Sequence, residues 1–421
     1  MTKFKQLLLA FLIVTAANAQ EKEPKTGWNL GPLPAVGYNS DLGYQFGALC
    51  SFFYYGDGSV FPEYLHKFHV EASLYSKGSG MYHFFYDSKY LIRNSRLTFA
   101  ATYLPNKMMS FYGFNGYASP YDDKHAEGSA FYSMDRKMLR ILADYQKGFA
   151  TNLKWAAGLA FWNYKLDRVQ LDTYKNDTTL FEIYQTAGII SPKEASGGSH
   201  AEIKIGLIYD SRDHEAAPAK GIWAETILYG SPDIFQKNNN SYLKLSAHFR
   251  HYVPLMSDKL VFAYHLAYQG TIAGNVPFYV QQNVTTLYLR QINSEGLGGI
   301  NTIRGVLYNR IVGDGLCWSN FEIRWKLFNF RFLKQNWYFG VNPFFDAGKI
   351  VQSYKLEEMK AANTKEIFSE KSEDFDKMHF SAGLGAKIVM NRNFVISAEF
   401  GKPFDKRDGT SGLNIGLNYI F

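Results

Sequence analysis

Apolar and polar residues alternate along most of this chain. From Asn320 to Leu327 every second residue is a large apolar one, and the residues between them are Asn, Glu, Arg and Lys. The alternation recurs in 203–209, 243–250 and 413–421. A period of two places successive side chains on opposite faces of a β-strand, and no segment keeps a helical period for three turns. The pattern therefore predicts an all-β chain.

The polar faces of the predicted strands carry many Lys, Arg and Glu side chains, more than the packed interior of a soluble sandwich holds. In a membrane barrel such a face lines a wet lumen, the apolar face contacts lipid, and closure removes the sheet edges. The composition agrees, because aromatic residues make up 17% of the 421 residues, Gly occurs 36 times and the mean hydropathy is only −0.24. We predict a transmembrane antiparallel β-barrel.

About sixteen strands can be counted, each with the roughly 9–11 residues that a tilted crossing of the bilayer requires. Long connections follow odd-numbered strands, which is typical of barrels with short periplasmic turns and long external loops. The long connections are 105–130, 168–199, 274–312 and 348–376, and the short ones include 93–95, 147–149 and Asn391. The predicted strands are 31–39, 43–55, 64–76, 80–93, 95–104, 131–148, 150–167, 200–210, 220–230, 240–253, 258–273, 313–328, 335–347, 377–390, 392–400 and 411–421.

The N-terminus has the features of a secretory signal peptide. Lys3 and Lys5 precede a short apolar run, and Ala17-Asn18-Ala19 forms a small-x-small cleavage site. We expect residues 1–19 to be removed, 20–30 to form a short linker, and 31–421 to form the barrel. The apolar run is too short to span a bilayer, so a retained anchor is the weaker interpretation. The linker leaves no room for a periplasmic domain or a folded plug.

Charge and cysteine usage exclude several classes of function. Removing Lys3 and Lys5 lowers the formal net charge from +7 to +5, and the cationic residues are scattered, so we expect no nucleic-acid partner. Outer-membrane lipids are the expected surroundings. Cys50 and Cys317 lie far apart in sequence, which favours packed thiols over a disulfide, and they lack metal-ligand spacing. We predict no metal, no cofactor and no catalytic residue.

One stretch stands out for its glycines and a single arginine. It reads Leu297-Gly298-Gly299-Ile300-Asn301-Thr302-Ile303-Arg304-Gly305-Val306, and the strand that follows carries Glu322. It resembles the signature of the BamA/TamA superfamily, also called the bacterial surface antigen family. In that family an Arg-Gly pair lies at the tip of the sixth external loop and an acidic strand follows. The strand count places this stretch in the sixth external connection.

Further stretches resemble motifs of the same family. Pro343-Phe344-Phe345-Asp346-Ala347-Gly348 is similar to an aromatic-Asp-Ala-Gly strand end, and 112–116 is a weaker match in the third external loop. The turn after the eighth strand is similar to an acidic-Arg-acidic motif, which implies a periplasmic turn that fixes the register of its hairpin. The alternative is an ordinary polar turn, because Asp and Pro favour turns in any case. The residues assigned to this turn are Asp210, Arg212, Asp213, Pro218 and Gly221.

Arg304 requires acidic partners if it is sequestered from water, because an arginine keeps its proton. Glu322 and Asp346 both fall on the polar faces of adjacent strands, where they can receive the guanidinium in forked hydrogen bonds. Gly305 then supplies the backbone freedom that a loop tip needs. We predict that the sixth loop folds into the lumen and is pinned there by these contacts. The alternative is a solvent-exposed arginine with two unrelated lumen acids.

The two ends of the barrel sequence have features of their own. The resemblance implies that the first and last strands meet at a seam that can open sideways. Pro32 and Pro34 cannot donate to a β-ladder, so they favour weak pairing at this seam, unless the first strand simply begins near Ala35. Phe421 ends an alternating segment that resembles the outer-membrane insertion signal.

The resemblance implies a protein of the Gram-negative outer membrane that aids the insertion or transport of proteins or lipids without chemistry. One alternative is a passive porin-like channel, because sixteen strands can enclose a water-filled lumen. A membrane enzyme is a further alternative that no residue pattern supports. We expect a member without the family's periplasmic POTRA domains. A separate periplasmic protein or lipoprotein, or a second copy in a homo-oligomer, is then the expected partner.

Overall fold

A computed structural model gives the fold of the chain. It describes residues 25–421, apart from 40–41, 62, 126–128, 175–176, 233–240, 286–293, 333–334, 363, 369–376, 391–393 and 418. The predicted signal peptide 1–19, linker residues 20–24 and the predicted turn at Asn391 lie outside the described residues.

Sixteen strands form one closed antiparallel barrel, which confirms the predicted fold class and strand number. Each strand is hydrogen-bonded to its neighbours in the chain, and β1 closes the barrel on β18. The barrel strands are β1 (Trp28–Asn39), β2 (Gly43–Tyr54), β3 (His66–Tyr75), β4 (Gly80–Ser88), β5 (Ser95–Ser110), β6 (Ser133–Ala150), β7 (Leu153–Asp167), β8 (Gly197–Asp210), β9 (Gly221–Ser231), β10 (Tyr242–Met256), β11 (Leu260–Gly274), β14 (Gly315–Phe332), β15 (Gln335–Gln352), β16 (His379–Met390), β17 (Phe394–Pro403) and β18 (Gly412–Leu417).

The remaining elements are short and lie in the connections between barrel strands. β12 (Asn283–Val284) and β13 (Ser294–Glu295) form a separate two-stranded sheet between β11 and β14. Within the described ranges, the α-helices are α1 (Leu180–Thr186), α2 (Pro192–Ala195), α3 (Phe278–Gln281) and α4 (Leu356–Ala361). The same ranges hold three 3₁₀ turns, Gly116–Ala118, Asp123–His125 and Lys406–Asp408. Among the described residues, none of the helices has the length and apolar character needed to cross a membrane.

Alternation along each strand separates an apolar outer face from a polar inner face. Leu159 on β7 is 62% exposed, and Ile203 and Ile205 on the neighbouring β8 are exposed on the same side. Glu202 and Lys204 alternate with them on β8 and are buried. Because the period of two puts every second side chain on one face, the outer surface is apolar enough to contact lipid while the charges point inward.

The strand bounds differ from the prediction at several strand ends, in both directions. β1 begins at Trp28, three residues earlier than predicted, and β4 ends at Ser88 rather than at 93. β5 continues past Pro105 to Ser110, because an irregularity between Asn106 and Met109 lets the ladder to β6 resume. Proline is tolerated at such bulges, so it did not end the strand.

The long loops close the external end of the barrel around an aromatic core. The Phe111 ring lies 5.3 Å from that of Tyr184 and 6.3 Å from that of Phe278, which belong to three different loops. Asn115 contacts the loop after β15. Its side-chain amide donates a 2.7 Å hydrogen bond to the Tyr354 carbonyl and accepts one of 2.8 Å from the Tyr354 main-chain N–H. These ring contacts and hydrogen bonds join the loops after β5, β7, β11 and β15 into a single cap.

The chain leaves the barrel wall after Leu417, which corrects the predicted strand 411–421. We call residues 419–421 the tail; Tyr419 and Phe421 are buried rather than lipid-facing. The Phe421 ring lies 5.5 Å from that of His265 and 6.3 Å from that of Tyr252. Arg324 donates a 2.6 Å hydrogen bond to a main-chain oxygen of Phe421. This charged donor and these inward-facing rings outweigh the alternating pattern that would keep the tail in the wall.

A charge on the outer face is expected to destabilise the folded barrel. Leu159→Arg places a guanidinium in hydrocarbon near the middle of β7, which costs about 2–4 kcal/mol at the bilayer midplane. Urea unfolding in lipid vesicles measures this loss against Leu159→Phe, which keeps the site apolar. Equal unfolding midpoints for the two variants would contradict the lipid-facing assignment.

Candidate functional site

The connection between β11 and β14, residues 275–314, is called loop 6 here, and it brings Arg304 against the inner faces of three strands. The guanidinium Nε and Nη2 each donate to one oxygen of Asp346 at 2.8 Å, and the Arg304 main-chain N–H donates to Asp346 at 3.0 Å. Nη1 donates to Glu322 and, at 3.2 Å, to Glu399. The ring centre of Phe344 lies 3.6 Å from the guanidinium carbon, and Arg304 is 1% exposed.

The electrostatic setting keeps Arg304 charged. Burial alone would lower the pKa of its guanidinium, but the nearby carboxylates of Asp346, Glu322 and Glu399 raise that pKa well above its ordinary value. A buried arginine with forked carboxylate contacts is among the stronger charge-assisted arrangements in proteins. The structure therefore brings together Arg304, Glu322 and Asp346, the three charged residues that the sequence placed in one site.

Gly305 lies where no side chain fits. Its φ is +90°, and a Cβ at this position would lie 2.4 Å from the carbonyl carbon of Gly401 on β17. Two glycines thus let the loop tip and the barrel wall approach backbone to backbone. Val306 follows in an apolar cluster with Ile303 and Leu297, so the stretch on both sides of Arg304 is anchored by burial.

Three more charged side chains complete a buried network around this site. Lys387 Nζ donates to Glu399 at 2.6 Å, and Arg324 Nε donates to Glu322 at 2.9 Å. Glu322 therefore contacts both Arg304 and Arg324. The lock network, as we name it, contains three cations and three carboxylates, all buried: Arg304, Arg324, Lys387, Glu322, Asp346 and Glu399. The sequence did not single out Glu399, Lys387 or the role of Arg324, although the alternation indicates the inward position of each in its strand.

Loop 6 has a second arginine that the sequence did not single out. Arg310 is buried and donates to three main-chain carbonyls of other external loops: Gly116 at 3.0 Å, Ser119 at 3.1 Å and Arg407 at 2.9 Å. Arg304 thus joins loop 6 to the barrel wall, whereas Arg310 joins it to the cap.

The predicted periplasmic turn connects β8 to β9, and residues 211–220 are called the mouth turn here. Arg212 donates two hydrogen bonds of 2.8 Å to the two oxygens of Asp210. One carboxylate oxygen of Asp213 accepts two main-chain N–H groups from the far side of the turn, at 2.8 and 3.1 Å. Gly221 has φ +105°, and a Cβ there would lie 2.3 Å from a carbonyl oxygen across the turn. These contacts fix the shape of the turn.

The tip of the mouth turn is buried, a feature that its polar flanks concealed. Ala217, Pro218 and Ala219 are all buried. Ala217 belongs to an apolar cluster with Tyr419, and Ala219 belongs to one with Phe421. The tip therefore packs on the tail, across the end of the barrel opposite the cap. The four-residue run Ala216-Ala217-Pro218-Ala219 was the available sequence signal, because it is apolar within an otherwise polar turn.

The Omp85 superfamily domain matches residues 92–421 of this chain. The chain belongs to the Omp85 superfamily. This confirms the resemblance to BamA and TamA, and it implies the outer membrane of a Gram-negative bacterium as the location. No curated relative matches the sequence significantly.

The barrel of this Omp85 protein is similar to two solved structures at low sequence identity. BamA from Haemophilus ducreyi lacking POTRA domains 1-3 matches with a TM-score of 0.58 and 17% identity, covering 94% of this chain and 71% of that chain. CdiB from Escherichia coli matches with a TM-score of 0.56 and 11% identity, covering 94% of this chain and 64% of that chain. These likenesses establish the fold.

The predicted site residues of the Omp85 barrel fall into two groups that are linked through the tail. Arg304, Gly305, Glu322 and Asp346 lie together in or beside the lock network, whereas the residues of the mouth turn form a separate cluster. Arg324 connects the groups, since it contacts Glu322 and the tail. Within the described part of the chain, no three His, Cys, Asp or Glu side chains are placed to hold a metal ion.

Removing the central cation of the lock network is expected to destabilise the Omp85 barrel. Arg304→Ala leaves three buried carboxylates facing only two cations, and breaking a buried pair costs about 3–5 kcal/mol. Arg304→Lys keeps the charge but loses the forked geometry, so its stability is expected to lie between that of the wild type and that of Arg304→Ala. Heat-modifiability on gels and urea unfolding measure the effect. Arg331→Ala, on an exposed part of β14, is the matched control, and equal stability of Arg304→Ala and this control would contradict the role of Arg304.

Proposed function

We propose that this Omp85 barrel inserts or translocates proteins or lipids at the outer membrane by opening its seam sideways, without catalysis. The observation that carries the proposal is the seam itself. In the described part of the chain, which lacks residues 40–41 and 418, β1 and β18 share two residue pairs, Tyr38 with Ile415 and Asn39 with Asn414. Among the described residues every other pair of neighbouring barrel strands shares at least six.

The seam is weak for a physical reason. Each cross-strand pair contributes roughly 0.2–1 kcal/mol, so two pairs resist opening far less than the ten between β11 and β14. On the β18 side, no described residue pairs with β1 from Trp28 to Gly37, a stretch that includes Pro32 and Pro34. An unpaired edge is a template to which another extended segment can add. An entering strand would therefore complete pairing that the barrel itself lacks.

The lock network supports a coupling between loop 6 and this seam. The tail continues β18, and Arg324 joins the tail to Glu322, which also receives Arg304. In our proposal loop 6, folded into the lumen, holds the tail through this shared carboxylate and so keeps the seam closed at rest. A client that pulls β18 away from β1 would then act on the lock network directly.

The interior argues against the alternative of a passive channel. The external loops cap one end, and the mouth turn packs on the tail at the other. A large, steady, water-filled path needs both ends to be open. We also propose that residues 1–19 direct export, and that a periplasmic protein, a lipoprotein or a second copy of the chain assists in recognising clients.

Locking the seam with a disulfide is expected to abolish function reversibly. Tyr38→Cys with Ile415→Cys, in a background where Cys50 and Cys317 are Ser, places two thiols on directly paired residues, within bonding reach. In cells depleted of the chain, we expect the abundance of a particular set of outer-membrane proteins to fall. The oxidised variant should fail to restore them, and reductant should rescue it.

The matched control for the seam lock is Ala48→Cys with Ala72→Cys, which links β2 to β3 inside the wall. This control should restore the outer-membrane proteins whether it is oxidised or reduced. Full restoration by the oxidised seam variant would contradict the proposal.

Conductance distinguishes the proposal from a passive channel. In planar bilayers the purified barrel should show no large steady conductance, because loops and tail occupy both ends. A large steady conductance, together with no effect of depletion on other barrels, would favour the porin-like alternative.

A further inference from the structure

A polar cavity of about 310 Å³ lies beside the mouth turn, at the end of the barrel that faces the periplasm. Its walls come from β5, β6, β7 and the ends of the flanking turns. Four cationic and two acidic side chains line it, and these are Lys89, Arg96, Lys154, Arg212, Asp210 and Glu215. A cavity with this lining has the chemistry to bind carboxylate groups.

The mouth turn already places one of its own carboxylates in this cavity. Glu215 contacts Arg96 Nη1 at 3.1 Å and Lys89 Nζ at 3.4 Å. Arg96 is held from behind by two hydrogen bonds of 2.7 and 2.9 Å to Asp87, so its remaining N–H groups are oriented toward the cavity. Glu215 is itself 42% exposed, and an exposed ion pair of this kind contributes only about 0–1 kcal/mol. A competing carboxylate can therefore replace it.

Lys154 supplies a further cation in the same cavity, where the carboxylates of Asp210 and Glu215 attract it electrostatically. Within the described residues, neither carboxylate lies within ion-pair distance of its Nζ. It occupies an inward position of β7, since its neighbour Trp155 is on the exposed outer face. A second carboxylate could therefore bind at Lys154 while the first occupies the place of Glu215.

We infer that this cavity is a docking site for an acidic segment of a periplasmic protein, whose Asp or Glu side chains displace Glu215 and bind Lys154. Lys89, Arg96 and Arg212 each have a carboxylate partner besides Glu215. Lys154 has none within ion-pair distance among the described residues, and its charge favours an acidic occupant. The inward positions of Lys154 and Gln146 favour a peptide that enters from the periplasm over a lipid headgroup, because lipids contact the outer wall. The inference rests on the proposed function in one respect, since it gives the chemistry of the expected partner.

Displacing Glu215 has a consequence for the interior. The same turn buries Ala217, Pro218 and Ala219 against the tail. Small side chains bury little area, so this contact alone holds the turn weakly. Docking of an acidic segment would therefore loosen the mouth turn from the tail and expose the tail to the periplasm, while the Arg212 and Asp213 contacts keep the shape of the turn.

The test measures exposure of the mouth turn in the full chain in lipid vesicles at low salt. Ala217→Cys, with Cys50 and Cys317 changed to Ser, is labelled with a membrane-impermeant maleimide. The probe is a hexaglutamate peptide with blocked ends, and hexaglutamine is its matched control. Hexaglutamate should raise the labelling rate about fivefold, the equivalent of losing one ion pair, and hexaglutamine should not. Glu215→Gln should raise the basal rate by a similar factor.

Two lysine variants locate the binding. Lys154→Met should remove most of the response to hexaglutamate, whereas Lys147→Met, an exposed lysine just outside the cavity, should keep it. A labelling rate that hexaglutamate leaves unchanged, or that Lys154→Met leaves fully responsive, would overturn the inference. An equal response to inorganic phosphate would overturn the assignment to a peptide. The labelling assay does not depend on the seam, so failure of the seam lock leaves its result interpretable.

Discussion

The rest of the structure depends on the balance of charge in the lock network. Taking ions out of water costs several kcal/mol each, and only complete pairing offsets that cost. Three cations facing three carboxylates meet this condition, with Glu322 shared between Arg304 and Arg324. Because no member can be withdrawn without leaving a charge unpaired, loop 6, the inner wall and the tail are held as one unit.

The alternating pattern was sufficient to predict the wall of the barrel, but not the full lock network or the position of the tail. The strands followed from the period of two, because lipid on one face and water on the other impose it on every crossing. Arg304, Glu322 and Asp346 could be grouped because an arginine needs acids and the family resemblance placed its loop. Glu399 could not, since β17 comes beside loop 6 only through the three-dimensional path of the loop. For the tail, the prediction from the pattern was wrong. Tyr419 and Phe421 continue the alternation, but their contacts with Arg324 and His265 hold them inside the barrel.

The two ends of the lumen are closed by different kinds of interaction. The cap is an aromatic core in which large rings from four loops pack together, and Arg310 joins it to loop 6. The mouth turn is instead held by small side chains and an exposed carboxylate. Burial of large rings contributes several times more than burial of alanines, so the external end is the more firmly closed of the two.

In the opening that we propose, these differences set the order of the steps. The Arg212 and Asp213 contacts fix the shape of the mouth turn, but its position against the tail rests on the ion pairs of the exposed Glu215 and on small buried residues, each of which contributes little. The seam, with two residue pairs, comes next, but it cannot separate widely while Arg324 holds the tail. The lock network is last, because breaking a buried pair costs about 3–5 kcal/mol unless a new partner replaces the one lost. An event that begins at the periplasmic mouth therefore meets its smallest barrier first. Each later step exposes groups, the tail and then the edge of β1, that an incoming segment can pair with.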